Sequence, residues 1–338
     1  MARLSVLTLF LVVAVFSAIS LADKPDWVAF KKQHKKEYKS AEKEAKAKAK
    51  FDKNAARVDE HNKKFERGEV QYNIAINEFA DQDAAEFHQT HHGLRPELRR
   101  NHSSRSVPHE RYARQLPPAS LDYRSTNKVS AVRNQANCGS CWAFASLAAV
   151  ESQVLIAARS SVLLSEQQLV DCDIWDSGCG GGWPTNTFQW LQYYGGSKTD
   201  AAYPYTSGCC NSAGTCSGAN APVVQKVSGF QELSMPAPDA TIKSYLAAHG
   251  PLAIAVSGEP WDPLYAGGYM SCPAGQAMDH AVLLVGYGVN TAGKNYWIVK
   301  NSWGTGWGDK GFAYILSGQA NNVDCGISQY LATYPIIV

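Results

Sequence analysis

The hydrophobic pattern changes four times along the chain. Met1-Ala2-Arg3 leads into an apolar run from Leu4 to Phe16, closed by small residues at Ser20 and Ala22. A short positive start, a brief apolar core and a small-residue end mark residues 1–22 as a secretory signal peptide; the run falls short of the roughly 20 residues of a membrane span. No second candidate span follows. From Trp27 the pattern turns amphipathic. Trp27, Phe30 and His34 begin one helical stripe. Phe51, Val58 and Phe65, at seven-residue spacing, mark a longer helix from about Ser40 to Lys64, and its Ala-Lys repeat has high helix propensity. Residues 91–115 lose the periodicity and read as a polar, exposed linker. Trp142 to Ala158 is a long, largely apolar stretch, which predicts a buried helix. The last third alternates short apolar runs with turns (Pro251 to Val256, Ala281 to Tyr287, Asn295 to Val299, Gly311 to Ile315) and reads as a sheet or barrel.

At 338 residues the chain exceeds one ordinary domain, and 45% hydrophobic residues suffice for packed cores. Charge divides it. Residues 1–116 hold 22 Lys/Arg and 16 Asp/Glu, a net of +6; residues 117–338 hold 10 and 14, a net of −4. Two parts of one molecule with opposite charge attract each other. Seven of the nine His lie in the first part. The overall balance gives no footprint for a nucleic-acid partner. Nine Cys in a secreted chain predict disulfides with one thiol left over.

The run Gln135-Ala136-Asn137-Cys138-Gly139-Ser140-Cys141-Trp142 sets a cysteine directly before the apolar helix. The positive end of the helix dipole lowers a thiol pKa and favours the nucleophilic thiolate. The run resembles C-G-[SA]-C-[WY], the signature of papain and cathepsin cysteine proteases, which calls for a His and an Asn far downstream. His280, in Asp279-His280-Ala281-Val282, lies 139 residues after Cys141, and Asn301, in Lys300-Asn301-Ser302-Trp303-Gly304, lies 160 after it. The chain resembles a cathepsin L-like preproenzyme over nearly its whole length.

The resemblance implies an α+β fold with two lobes, a helical one over about 117–225 and a β-barrel-like one over about 226–338. A helical inhibitory pro-segment over 23–115 precedes the mature part, 116–338. Cys141 is then the nucleophile, His280 its ion-pair partner and proton donor, Asn301 the group that orients the imidazole, and Gln135 an oxyanion donor together with the Cys141 N–H. Trp303 shields the His–Asn contact. Gly181, Gly182, Trp183, Pro184, Ala255, Met278, Asp279 and Tyr330 bind substrate; the main pocket, lined by Trp183, Pro184, Ala255, Met278 and Tyr330, has no acidic group to attract Arg, so an apolar or aromatic side chain is preferred. Bridges are implied for Cys138–Cys179, Cys172–Cys216 and Cys272–Cys325. Cys209 and Cys210 remain, either bridged to each other or with one of them replacing Cys216. The pro-helix motif is worn: Lys43 and Ala47 fall where Glu and Arg are usual, with Glu44 positioned to cover part of that role, and Lys50 falls at an apolar site. Asn101 heads an Asn-His-Ser glycosylation acceptor.

Other readings fit less well. A thioredoxin-like Cys138/Cys141 pair lacks the surrounding helix–strand pattern, and a zinc site lacks a second Cys pair or spaced His, so no metal or cofactor is expected. A non-catalytic binding relative would lack the nucleophile. An exopeptidase needs an insertion that blocks the cleft, and no paired-His insertion occurs between Cys141 and Cys209. The expectation is a monomeric endopeptidase acting on polypeptides, inhibited by its own pro-segment and by cystatin-like proteins, in a lysosome, a digestive lumen or outside the cell.

Overall fold

The stripe that begins at Trp27 folds as two crossing helices. The computed structural model of the chain describes residues 26–100, 105–108, 110–113, 116–217, 221–318 and 323–338; the signal-like start, its cleavage point and Asn101 lie outside them. Helix α1 (Trp27–Gln33) starts where Asp26 caps the Ala29 amide, and α2 (Ala41–Glu66) where Ser40 caps Lys43. Each cap satisfies an amide that the helix leaves unpaired. Phe30 meets Phe51 at 4.7 Å between ring centroids. With Ile74, Ala80 and Leu264 they form a small core that joins the pro-segment to the C-terminal lobe. Val58 packs at its margin, whereas Phe65 is 38% exposed and joins no buried cluster, so the heptad stripe ends one step early.

The departures from the usual pro-helix pattern have local partners. Glu44 accepts from Lys31 and from Trp27 Nε1, Ala47 is buried, and Lys50 pairs with Asp83 and Glu86. Asn54 donates to the carbonyls of Ala80 and Gln82, and Asn62 exchanges hydrogen bonds with the Ile74 backbone. Arg57 forks onto Asp262 of the C-terminal lobe at 2.5 and 2.9 Å.

Strand β1 (Tyr72–Ile74) follows, then α3 (Ala84–His91), which opens on an Asp83/Glu86 capping box. The start of the 91–115 stretch is not the exposed linker that its polarity suggests. His91, His92, Gly93 and Leu94 are buried. Further on, β2 (Arg105–Val107) adds to the main sheet, and Tyr112 of α4 (Glu110–Ala113) is buried with its hydroxyl 2.5 Å from His249 Nε2. Main-chain pairing and ring stacking hold this stretch, and neither needs an apolar sequence.

The mature part begins with β3 (Leu121–Asp122), then α5 (Cys141–Ile156), α6 (Glu166–Cys172) and α7 (Pro184–Tyr193). Next come β4 (Val227–Leu233), α8 (Asp239–His249), β5 (Leu252–Val256), β6 (Tyr265–Met270), β7 (His280–Val289), β8 (Asn295–Lys300), β9 (Phe312–Leu316) and β10 (Ala332–Ile337). The sheet order is β1-β6-β9-β8-β7-β5-β10-β4-β2, with β3 beside β7. The sheet is open, and both end strands belong to the pro-segment.

Strands β5 and β7 read as unbroken apolar runs because the sheet is covered on both faces. Alternate residues point opposite ways. Leu252, Ile254, Val282 and Leu284 enter the C-terminal core with Trp261, Trp297 and Trp307. Ala253, Leu283 and Val285 enter the other core, against Trp142, Leu147 and Phe188 of the helical lobe. Disulfides join Cys138–Cys179, Cys172–Cys216 and Cys272–Cys325. Cys172 is thus taken by Cys216, and neither Cys209 nor Cys210 is bridged to it; their sulfurs lie 2.7 Å apart at the surface.

Truncating Phe51 to Ala should cost about 3–5 kcal/mol of pro-segment stability. Limited proteolysis of the precursor at neutral pH should then cut within residues 27–87 far faster than in the unaltered chain.

Candidate active site

Helix α5 carries its first residue to the centre of the molecule. It is mostly apolar and buried along most of its length, so its N-terminus is fixed by packing. The turn before it is clamped by the Cys138–Cys179 bridge, and the Ser140 hydroxyl meets Tyr205 at 2.8 Å. Cys141 is buried and unbridged.

His280 opens β7 and Asn301 follows the end of β8, which pairs with β7. His280 Nε2 lies 2.8 Å from Asn301 Oδ1. An amide oxygen only accepts, so the hydrogen-bond network assigns the imidazole hydrogen to Nε2. Nδ1 is left as the basic nitrogen, buried without a partner. Trp303 is fully buried with its ring 4.8 Å from that of His280, covering the pair. Gln135 is fixed at both ends: Ser302 Oγ donates to its Oε1 (2.6 Å) and its backbone N donates to Ser302 O (2.8 Å). Its Nε2 donates to Cys138 O and to His91 O, each at 2.9 Å.

That last contact belongs to the pro-segment, which fills the cleft. The Gly182 amide donates to Gly93 O (2.8 Å), the Arg95 amide to Gly182 O (3.0 Å) and the Leu94 amide to Asp279 O (2.9 Å). A Cβ on Gly93 would lie 1.8 Å from Gly139 O, so only glycine passes. Gly181 combines φ +118° with a hypothetical Cβ 2.6 Å from Gly93 O, a conformation and an approach that both require glycine. Leu94 is buried among Trp183, Ala255, Met278, Ala281 and Leu331. Tyr330 is 47% exposed, near Met278, while its neighbour Leu331 takes the interior position. Pro184 is the first residue of α7, behind Trp183. His92 packs against both His280 and Trp303, at 5.4 and 5.9 Å between ring centroids, and its Nδ1 lies 2.9 Å from Asp279 Oδ2.

The helix end alone does not ionise the thiol here. Burial pushes Cys141 up to about 11, against the amides of Ala281, Gly93 and Trp142, which favour the thiolate. Burial, with a smaller effect from His92, drives His280 down to about 3. In the filled cleft burial thus works against both members of the expected thiolate–imidazolium pair. Sequence reasoning missed Ser302, Leu331, Ala281 and the pro-segment residues His91 to Leu94. Ser302 sits inside the Asn-Ser-Trp-Gly motif and had a signal; Leu331 looks like any core residue.

A buried thiol at a helix start, an imidazole oriented by an amide, and a fixed amide donor beside them define a cysteine peptidase, and a strand of its own chain occupies the cleft. Profile comparison agrees. Residues 117–336 match the papain family cysteine protease and residues 27–87 the cathepsin propeptide inhibitor domain (I29), so the chain belongs to the papain family of cysteine proteases, with its inhibitory pro-domain attached. Similar proteins include cathepsin L of Sarcophaga peregrina, 36% identical over 99% of this chain and 100% of its own, and cathepsin L1 of Drosophila melanogaster, 35% identical over 98% and 90%. Among solved structures, digestive procathepsin L2 from the larval midgut of Tenebrio molitor is 36% identical with a TM-score of 0.81, covering 92% of this chain and 98% of that one.

Replacing Gly93 by Val should displace the pro-segment from Gly139 and the Gly182 strand. The precursor should process at least about tenfold faster at pH 6, followed as conversion on gels.

Proposed function

We propose that this protein is the acid-activated precursor of a cysteine endopeptidase. The observation that carries the reading is the way the pro-segment sits in the cleft: a carbonyl on Gln135 and a leucine in the apolar pocket beside Cys141. A substrate would use the same groups and pair as an added strand with Gly182. The pro-segment is spared because it offers the sulfur the Gly93 amide N–H rather than a carbonyl carbon.

Once the cleft is open, water supports the charged pair, and Cys141 passes its proton to His280. The thiolate attacks the scissile carbonyl, and the oxyanion is held by Gln135 Nε2 and the Cys141 amide. The C–N bond breaks as His280 gives its proton to the leaving amine. The thioester is then hydrolysed by water, with His280 as base, releasing the acid and restoring the thiol and imidazole. Asn301 holds the ring and Trp303 shields the contact. The pocket lined by Trp183, Ala255, Met278 and Leu331, with Tyr330 at its rim and Leu94 as occupant, suits apolar or aromatic side chains. Such a pocket, in a cleft open enough to pass an internal segment of chain, favours endopeptidase over exopeptidase action.

Acid activation follows from the buried imidazoles. Burial lowers His88 to about 4 and His91 to about 3; His92, Asp279 and Lys36 face them and act less strongly. Both values lie below the ordinary 6.5, so the bound pro-segment holds fewer protons than the released one. The docking energy is fully present above about pH 6.5 and declines as pH falls towards 4. Among the described residues no helix is long and apolar enough to cross a membrane. The likeness to digestive proteinases of Homarus americanus and Tenebrio molitor supports a digestive lumen, with the lysosome as the alternative. The mature enzyme would act as a monomer open to cystatin-like inhibitors.

Cys141→Ser should fold, remain unprocessed and lack peptidase activity; cleavage by the purified variant would reject the assignment. Gln135→Ala should lower kcat about 10²–10³-fold. Processing of the unaltered precursor should proceed at pH 4–5 and stall at pH 7.5, and His88→Gln/His91→Gln should move its midpoint to lower pH. An unmoved midpoint would place the trigger elsewhere.

A further inference from the structure

Two carboxyl groups meet beneath the strand that binds substrate. Asp176 Oδ1 accepts from the Trp183 amide at 3.0 Å and from Asn186 Nδ2 at 2.8 Å. Asp173 Oδ1 accepts from the Trp175 amide at 2.9 Å. The second oxygens, Asp173 Oδ2 and Asp176 Oδ2, are buried with no N–H or hydroxyl donor. The two side chains face each other closely enough to hydrogen-bond. Two carboxylates cannot do so, because neither carries a hydrogen. One proton held between them satisfies both oxygens.

We propose that Asp173 and Asp176 form an acid–carboxylate pair that positions the substrate strand Gly181–Trp183. The geometry runs through one peptide unit. In a planar trans peptide the N–H and C=O point opposite ways. Asp176 takes the Trp183 N–H inward, so the Gly182 carbonyl faces the cleft, where the Arg95 amide now occupies it. Gly182 is pressed onto the same carboxyl: a Cβ there would lie 2.7 Å from Asp176 Cγ and 2.6 Å from Trp142 Cδ2. A shift of the Asp176 carboxyl therefore moves the strand that pairs with substrate. Asp173 and Asp176 are positioning residues and touch no reacting atom.

The pair gives the strand a pH dependence. Burial raises Asp173 to about 6, and burial together with Asp173 holds Asp176 well above the ordinary carboxyl value. Folded values above the unfolded ones mean a contribution that is complete in acid and lost as pH rises through about 6 and beyond. Among the described residues, the charged group acting on the pair from outside is Arg100, whose guanidinium lies 5.0 Å from the Trp175 ring centre. Arg95, on Gly180 O, and Arg99, over the Trp183 ring, face the same loop. Asp171 is turned away, to the Gly214 amide and the Tyr203 hydroxyl. All three arginines belong to the pro-segment. Their departure on maturation removes positive charge and strengthens the hold on the shared proton.

The test uses full-length precursors processed in acid, with active enzyme counted by an epoxide thiol reagent. It rests on the reading that Gly182 pairs with substrate. Initial rates on a peptide with an apolar residue for the main pocket give kcat and KM from pH 5 to 8. Wild-type KM should rise roughly tenfold across this range while kcat changes far less. Asp173→Asn supplies a permanent N–H in place of the proton and should flatten the KM profile. Asp176→Ala should raise KM roughly tenfold even at pH 5, with kcat within about threefold. If that variant does not fold, Asp176→Asn, which keeps the acceptor for Trp183 and donates to Asp173, should also give a flat profile. An Asn variant that keeps the wild-type rise, or a folded Asp176→Ala with unchanged KM, overturns the proposal. Wild-type enzyme that takes up no titrant and cleaves no peptide overturns the peptidase reading instead.

Discussion

Burial opposes charge at Cys141, and the arrangement of the filled cleft turns on that constraint. The helix end and the neighbouring amides favour the thiolate, yet burial outweighs them while the cleft is filled. The same burial lowers the His280 imidazole. The pro-segment occupies the groove beside both side chains. The surrounding contacts hold the site in place. Gln135 is tied to Ser302, Asn301 to His280, and Trp303 closes over them.

The position of the sulfur is set at longer range by a sheet buried on both sides. Its strands feed alternate side chains to two cores, and α5 is packed against one of them. Helix α5 is buried along most of its length, and its buried Glu151 accepts from Ser130 Oγ and the Leu164 amide, which fixes its seat. The nucleophile on α5 and the imidazole at the start of β7 are thus brought together by two rigid elements in contact rather than by loops. The Cys138–Cys179 bridge extends that rigidity to the glycine loop opposite.

The parts legible in the sequence are those in which chemistry and pattern coincide. Cys141 stands at the head of a largely apolar helix, and His280 and Asn301 flank strands whose continuous apolarity reflects burial on both faces. The linker was misjudged because His91, His92 and Gly93 are held by stacking and by backbone hydrogen bonds, which leave no hydrophobic trace. Leu331 in the pocket cannot be told from core leucines by pattern. Asp173 and Asp176 lie three apart in a loop, where acidic residues are ordinarily solvated; only the fold shows them facing each other. Phe65 shows the converse failure, a correct period carried past the end of the core it serves.

The open sheet has a consequence for the life of the molecule. Its two outermost strands, β1 on β6 and β2 on β4, are pro-segment strands. Cutting the chain near residue 116 would remove both and expose unpaired amides and carbonyls at the two flanks of the sheet, edges on which another chain could pair.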